Sequence, residues 1–194
     1  MRYDGGAIAL HWLITILTIA VVTFGLMIPE APRGDSSRPL ILLLHRSVGL
    51  TILAAMVVRG AWRAVRPPPP LPPTVGRIEA RLAHATHGAL YLVLLAMPIL
   101  GYLNAAAAGH AVSLFGIVAI PPPIRENDRL AQIAIALHLV GQYALYGLLA
   151  LHVGAALVHG IVRRDGVFSR MLPGRRLAAA HSLADETSIK LLRK

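Results

Sequence analysis

Nine histidines stand in this 194-residue chain, and most of them fall inside or at the edge of long apolar runs. An ionisable side chain within a membrane is costly, so by default it marks a binding site, a proton path or a redox centre. A lone histidine is more simply read as polar packing, hydrogen-bonded to a neighbouring helix. That reading weakens when several histidines share depths. His138 and His152 are 14 positions apart. On one helix this is roughly 21 Å along the axis and within about 40° of the same face. A single helix therefore offers two inward imidazoles, one toward each of its ends.

Four apolar stretches are long enough to carry these residues across a hydrocarbon layer, which needs roughly 20 residues of helix. They run from about Ala7 to Ile28, Pro39 to Trp62, Leu82 to Leu103 and Leu130 to Val162. Pro98 predicts a kink in the third. The fourth is long enough to tilt or to project beyond the membrane. Ala105 to Ile120 is apolar but interrupted by Gly and Ala, and it ends at Pro121–Pro123. It reads as a short helix or loop at the interface. The first stretch has no small-residue cleavage site behind it and reads as a retained helix.

In an antiparallel four-helix arrangement the histidine depths match in two places. His11 lies about one turn into the first helix and meets the depth of His152 near the end of the fourth. His45, about two turns into the second helix, meets the depth of His138 from the other side. Two imidazoles from opposing helices suit a flat macrocycle ligated on both faces, which is haem with no open axial position. A zinc or copper site would want three or four converging ligands, usually with cysteine or carboxylate among them. Cysteine is absent, which also excludes thiolate-held clusters and covalently attached haem. Gly49, Gly141, Gly154 and Ala155 follow the ligands closely and would let a wide ring approach the backbone, or simply let helices pack.

Composition agrees with a membrane setting. Charged residues make up 14% of the chain and mean hydropathy is +0.63, where a soluble domain carries about 25% charged residues. The formal charge of +10 does not indicate nucleic acid, because long apolar runs separate the arginines. Arg59, Arg63, Arg66, Arg77 and Arg81 lie between helices two and three, and Arg163, Arg164, Arg170, Arg175 and Arg176 follow helix four. The other two connections are nearly balanced, so both termini are expected on the cytoplasmic side, as an even number of spans requires. Residues 1–175 form the expected transmembrane domain, and 176–194 a loosely ordered polar tail.

The pieces "ALHW" at His11, "SRPL…LLHRSVG" around His45, "LAHATHG" opening helix three, "ALH" at His138 and "ALHVGAALVHG" closing helix four resemble the bacterial cytochrome b561 family. More narrowly, they resemble its four-helix superoxide oxidase branch. The resemblance covers roughly residues 5 to 175. It implies an all-α membrane four-helix bundle, up-down-up-down, binding two b-type haems through His11, His45, His138 and His152. It also implies a ubiquinone site near the cytoplasmic surface, carried over onto His87 and His159 with Arg77 or Arg81 beside them. His84, one turn before His87, is read as structural, with the option of substituting for it. Histidine can donate protons near neutral pH, and an arginine stabilises developing negative charge.

For superoxide as electron donor, Arg38, Arg46 and Arg129 are the candidates for a positive rim at the periplasmic haem. Arg46 follows a ligand directly and has the alternative of bonding a haem propionate. Glu30, Asp35, Glu126 and Asp128 dilute that field. The leading reading is a superoxide:ubiquinone oxidoreductase in contact with membrane lipid. The rival is a haem b anchor subunit that takes electrons from a dehydrogenase or hydrogenase partner. A haem-free module or small transporter leaves the matched depths unexplained.

Overall fold

The computed structural model describes residues 2–31 and 33–173; the tail expected from residue 176 onward lies outside them. Four long helices follow one another: α1 Gly5–Glu30, α2 Arg38–Val65, α3 Arg77–Ala107 and α4 Asp128–Leu157. All four are long and apolar enough to cross a membrane. The chain is a multi-pass membrane four-helix bundle.

Each helix starts where a polar group can satisfy orphan N–H donors. The Asp4 carboxylate accepts from the N–H groups of Gly6 and Ala7, and Asn127 accepts from Leu130. Glu79 reaches back to the Gly76 N–H at 3.2 Å. In α2 a proline occupies the first turn, where its missing N–H is harmless. α3 continues through Pro98 without a break in helix.

Consecutive helices pack as antiparallel neighbours, α1 on α2, α2 on α3 and α3 on α4. Ile14, Val48, Ile52 and Met56 form the centre of the α1–α2–α3 interface, with Leu17, Val21, Tyr91 and Leu94 against them. α4 is held chiefly by α3, and its backbone stands off α1 and α2. The bundle is therefore tightly packed on one side and open on the side facing α4. Outward apolar residues such as Ile16, Ile19, Val57, Leu92 and Val140 are exposed and face lipid.

The α3–α4 connection corrects one expectation. Residues expected to form a short helix or loop instead hold an antiparallel hairpin, β1 Val112–Leu114 and β2 Val118–Ile120, with Ser113 opposite Ala119. The physical reason is local. β-Branched and apolar residues flank Phe115 and Gly116, both at positive φ (52° and 74°), and the Ile117 N–H closes the turn on the Leu114 carbonyl at 3.0 Å. The hairpin is pinned to α2 by fully buried Ser47, whose hydroxyl accepts from the Phe115 N–H at 2.8 Å and donates to the Ser113 carbonyl at 3.3 Å.

The other end of the bundle carries both ends of the described chain. There α4 widens into a π-helical turn, Val158–Arg163, and stops at Arg164 in the left-handed region (φ 50°). The chain then folds back beneath the bundle. The Trp12 indole N–H donates to the Met171 carbonyl at 2.8 Å, Arg2 donates to the Leu172 carbonyl, and Arg170 donates to the Pro70 carbonyl at 2.6 Å. This strap ties α1, the α2–α3 loop and the end of α4 together.

Candidate functional site

At the hairpin end, His45 of α2 and His138 of α4 face each other with ring centres 6.1 Å apart. Their orientation comes from one device used twice. His45 Nδ1 meets the Val21 carbonyl of α1 at 3.0 Å, and His138 Nδ1 meets the Met97 carbonyl of α3 at 2.9 Å. A carbonyl only accepts, so Nδ1 carries the hydrogen in both rings and Nε2 is left free to ligate.

Both carbonyls already sit in a helix ladder, and both are reachable because glycine stands four residues later. A Cβ on Gly25 would lie 3.2 Å from His45 Cε1, and one on Gly101 would lie 3.3 Å from His138 Cε1. Around the pair is an apolar cavity whose lining includes Gly49, Leu94, Leu145 and Tyr146.

Two imidazoles on opposite sides of one iron, each bonded at about 2 Å, set their ring centres about 6 Å apart. The hairpin-end pair has that spacing, free Nε2 atoms and an apolar slot, so its residues fit haem.

At the other end, His11 of α1 and His152 of α4 stand 6.2 Å apart between ring centres, the same spacing. His87 of α3 lies 5.3 Å from His152. That is closer than the 6.2 Å between His11 and His152, so three imidazoles gather at this end of the bundle. Gly154 faces open space, whereas a Cβ on Gly141 would collide with the Met97 side chain. Gly141 thus serves the α3–α4 contact, not the approach of a ring. Among the described residues no three His, Cys, Asp or Glu side chains converge on a point that would hold a bare metal ion.

His159 lies in the π-helical turn. Its Nδ1 contacts Asp165 Oδ2 at 2.6 Å, with both side chains largely buried. The second oxygen of Asp165 accepts from the Val167 N–H at 3.1 Å. Burial works against ionisation of Asp165, but these hydrogen bonds and nearby Arg163 outweigh it and hold the carboxyl below its ordinary value. Arg163 pairs with Glu79 of α3 through two contacts of 2.6 and 2.8 Å.

The expected arginines are distributed unevenly. Arg46 forms a common wall between the apolar cavity and a second hollow that opens beside the hairpin. Arg38 lines that hollow too, but its guanidinium donates to the Ile28 carbonyl at 2.8 Å and to that of Ala31, closing the end of α1. Arg129 is exposed in the first turn of α4 and lines neither space. Arg77 and Arg81 are exposed at the start of α3, and it is Arg163 that engages Glu79 there. His84 bonds the carbonyl of Ala80, one turn back on its own helix, at 2.5 Å.

Two groups escaped the sequence reading. Arg59 of α2 donates to the Tyr91 hydroxyl at 3.0 Å and the Ala7 carbonyl at 3.3 Å, reaching the His11 end from the side. Treating it only as a topogenic charge hid this. Asp165 was also missed, although an acid six residues after a histidine at a helix end was a usable signal.

Residues 2–174 match the family described as prokaryotic cytochrome b561. The chain is 32% identical over 171 residues to cytochrome b561 homolog 2 of Escherichia coli (strain K12), covering 88% of this chain and 91% of that protein. It is 32% identical over 175 residues to a probable superoxide oxidase CybB of Yersinia pestis, covering 90% and 98%. It is 29% identical over 177 residues to cytochrome b561 homolog 1 of Escherichia coli, covering 90% and 99%.

Proposed function

Since the chain belongs to the prokaryotic cytochrome b561 family, whose members move electrons through b-type haem in membranes, we propose that it is a dihaem superoxide:ubiquinone oxidoreductase. The observation that carries the reading is the pair of imidazole couples, 6.2 and 6.1 Å between ring centres, at two depths of one bundle. His45 and His138 would hold one haem, His11 and His152 the other. Bound there, haem supplies a one-electron carrier at each depth.

The arginine-rich face, with Arg63, Arg66, Arg77, Arg81, Arg163 and Arg170, is assigned to the cytoplasm of the inner membrane, together with both termini. The hairpin end is then periplasmic. Superoxide, a small anion, is drawn toward Arg46, with Arg38 on the same hollow and Arg129 further out. It gives up one electron and leaves as oxygen. Two such events supply the two electrons that convert ubiquinone to ubiquinol, with two protons taken from the cytoplasmic side. His87 and His159 are the imidazoles at that end that would pass protons to the quinone, and Arg77 or Arg81 would screen developing negative charge. A Yersinia pestis relative named as a probable superoxide oxidase supports the choice of donor.

The test is rapid mixing of oxidised, purified protein with superoxide while recording the visible spectrum. Prompt b-type bands that superoxide dismutase abolishes are the expected result. Bands that appear with dithionite but never with superoxide would make the chain an electron-transfer anchor for a dehydrogenase partner instead.

A further inference from the structure

His152 and His159 are seven residues apart on α4, two turns and within about 20° of one face. His159 therefore continues the inward stripe of the His11–His152 couple, about 10 Å nearer the face that carries the termini. The helix does not end regularly there. It widens into a π turn, reverses at Arg164 in the left-handed region, and returns Asp165 against His159. Isolated π turns inside helices cluster at functional sites because they re-aim a side chain at the cost of regular hydrogen bonding.

We propose that Asp165 is the positioning residue of a proton-delivering dyad with His159 at the quinone end of the molecule. This rests on the reading of that end as a quinone-reducing site. An ionised carboxylate only accepts, so the 2.6 Å contact fixes the hydrogen of His159 on Nδ1. Nε2 is then the single ring position that gains and gives up a proton. The Val167 N–H on the other carboxylate oxygen holds the acid in place. The strap that follows anchors it further, through Phe168 against Gly160 and Trp12 on Met171.

The chemistry balances simply. Ubiquinone takes two electrons, drawn from two superoxide anions, and two protons. As a quinol O–H bond forms, the Nε2–H bond of His159 breaks, and Nε2 is refilled from cytoplasmic water. The charged groups acting on the dyad are Glu79 from α3 and Arg163 from its own end, while Arg164 turns to the Ile161 carbonyl. Glu79 and Arg163 pair with one another while still acting on the dyad from a distance, and Asp165 is the charge in direct contact with the ring.

The experiment is anaerobic stopped-flow re-oxidation of the dithionite-reduced full-length protein by a short-chain ubiquinone, across pH, for wild type, Asp165→Asn and Asp165→Glu. An amide turns an N–H toward Nδ1 and selects the wrong tautomer, the effect that disables catalytic His–Asp pairs elsewhere. Asp165→Asn should keep the haem bands, slow re-oxidation on the order of 10²-fold and flatten the pH profile. Asp165→Glu should recover most of the rate.

Wild-type kinetics and pH profile in Asp165→Asn would overturn the proposal. So would equal losses in both variants, or loss of a haem band in Asp165→Asn, because either makes Asp165 a structural tie. If wild type itself is not re-oxidised by the quinone, it is the functional reading that fails.

Discussion

His45 on α2 donates its Nδ1–H to the carbonyl of Val21 on α1 at 3.0 Å, and the residue four positions after Val21 is Gly25, over which the ring lies. The same arrangement joins His138 to Met97 with Gly101. In each case a helix carbonyl is exposed by the glycine one turn later, and it accepts the imidazole N–H as a second donor. The ring is fixed in tautomer and in rotation before any ligand arrives, which lowers the entropy lost on binding.

The device predicts a selective loss. In Gly25→Val the Cβ, already 3.2 Å from His45 Cε1, brings two methyl groups that push the ring off the Val21 carbonyl. On the dihaem proposal, haem content should fall from two per chain toward one, with the haem assigned to His11 and His152 spectrally intact. Haem extraction against protein concentration measures this, and two haems retained would dissociate the glycine from the site.

The inner cluster makes a second prediction from spacing alone. His152 is 6.2 Å from His11 but 5.3 Å from His87. His152→Ala and His11→Ala should each remove one haem, while His87→Ala should keep both and slow re-oxidation by quinone, on the order of 10²-fold if it acts as a proton donor. Loss of haem in His87→Ala would exchange the roles of His87 and His11.

Much of this was legible in the sequence because a membrane helix has one period and a fixed rise. The 14-residue spacing of His138 and His152, with His11 and His45 at matching depths, predicts the two couples, and the structure brings both together. The hairpin was not legible, because two strands of three residues carry too little alternation to stand out from an apolar stretch rich in Gly and Ala. Nor were Asp165 and Arg59. Their roles depend on chain reversal after Arg164 and on a reach from α2 to Tyr91, neither of which helical periodicity encodes.

Ser47 tests what the hairpin does. Its hydroxyl makes two hydrogen bonds to hairpin backbone, two residues after His45. Ser47→Ala leaves the Phe115 N–H without that partner, a local loss of about 1–2 kcal/mol. Amide exchange at Phe115 should accelerate roughly tenfold while α2 stays protected. Unchanged exchange would mean that the turn, not Ser47, holds the hairpin.

Two carboxylates outside the spans set an acid limit. Asp4 caps α1 and also accepts from the Trp62 indole at 3.0 Å. Slight burial opposes its ionisation, but the Ala7 and Gly6 amides and the indole prevail and hold its carboxyl below the ordinary value; Asp165 is lowered likewise. A depressed native pKa contributes stability that is present above the unfolded value, about 3.9 for aspartate, and lost as pH falls through the native value. Melting temperature in detergent should therefore hold level down to roughly pH 5 and then fall, with Asp4→Asn showing a shallower drop. Parallel curves for the variant and wild type would assign the acid loss to other groups.

Arg46 separates steering from cofactor binding. It walls both the apolar cavity between His45 and His138 and the open hollow beside the hairpin. As a steering charge, Arg46→Gln should lower the second-order rate of haem reduction by superoxide roughly tenfold at low salt and weaken the salt dependence, because screening has less field to remove. Arg38→Gln should do less to that rate and more to stability, since its guanidinium is committed to the carbonyls of Ile28 and Ala31. A normal rate in Arg46→Gln accompanied by a shifted spectrum of the haem proposed between His45 and His138 would instead assign the guanidinium to that haem, and the steering field would have to come from elsewhere on the hairpin face.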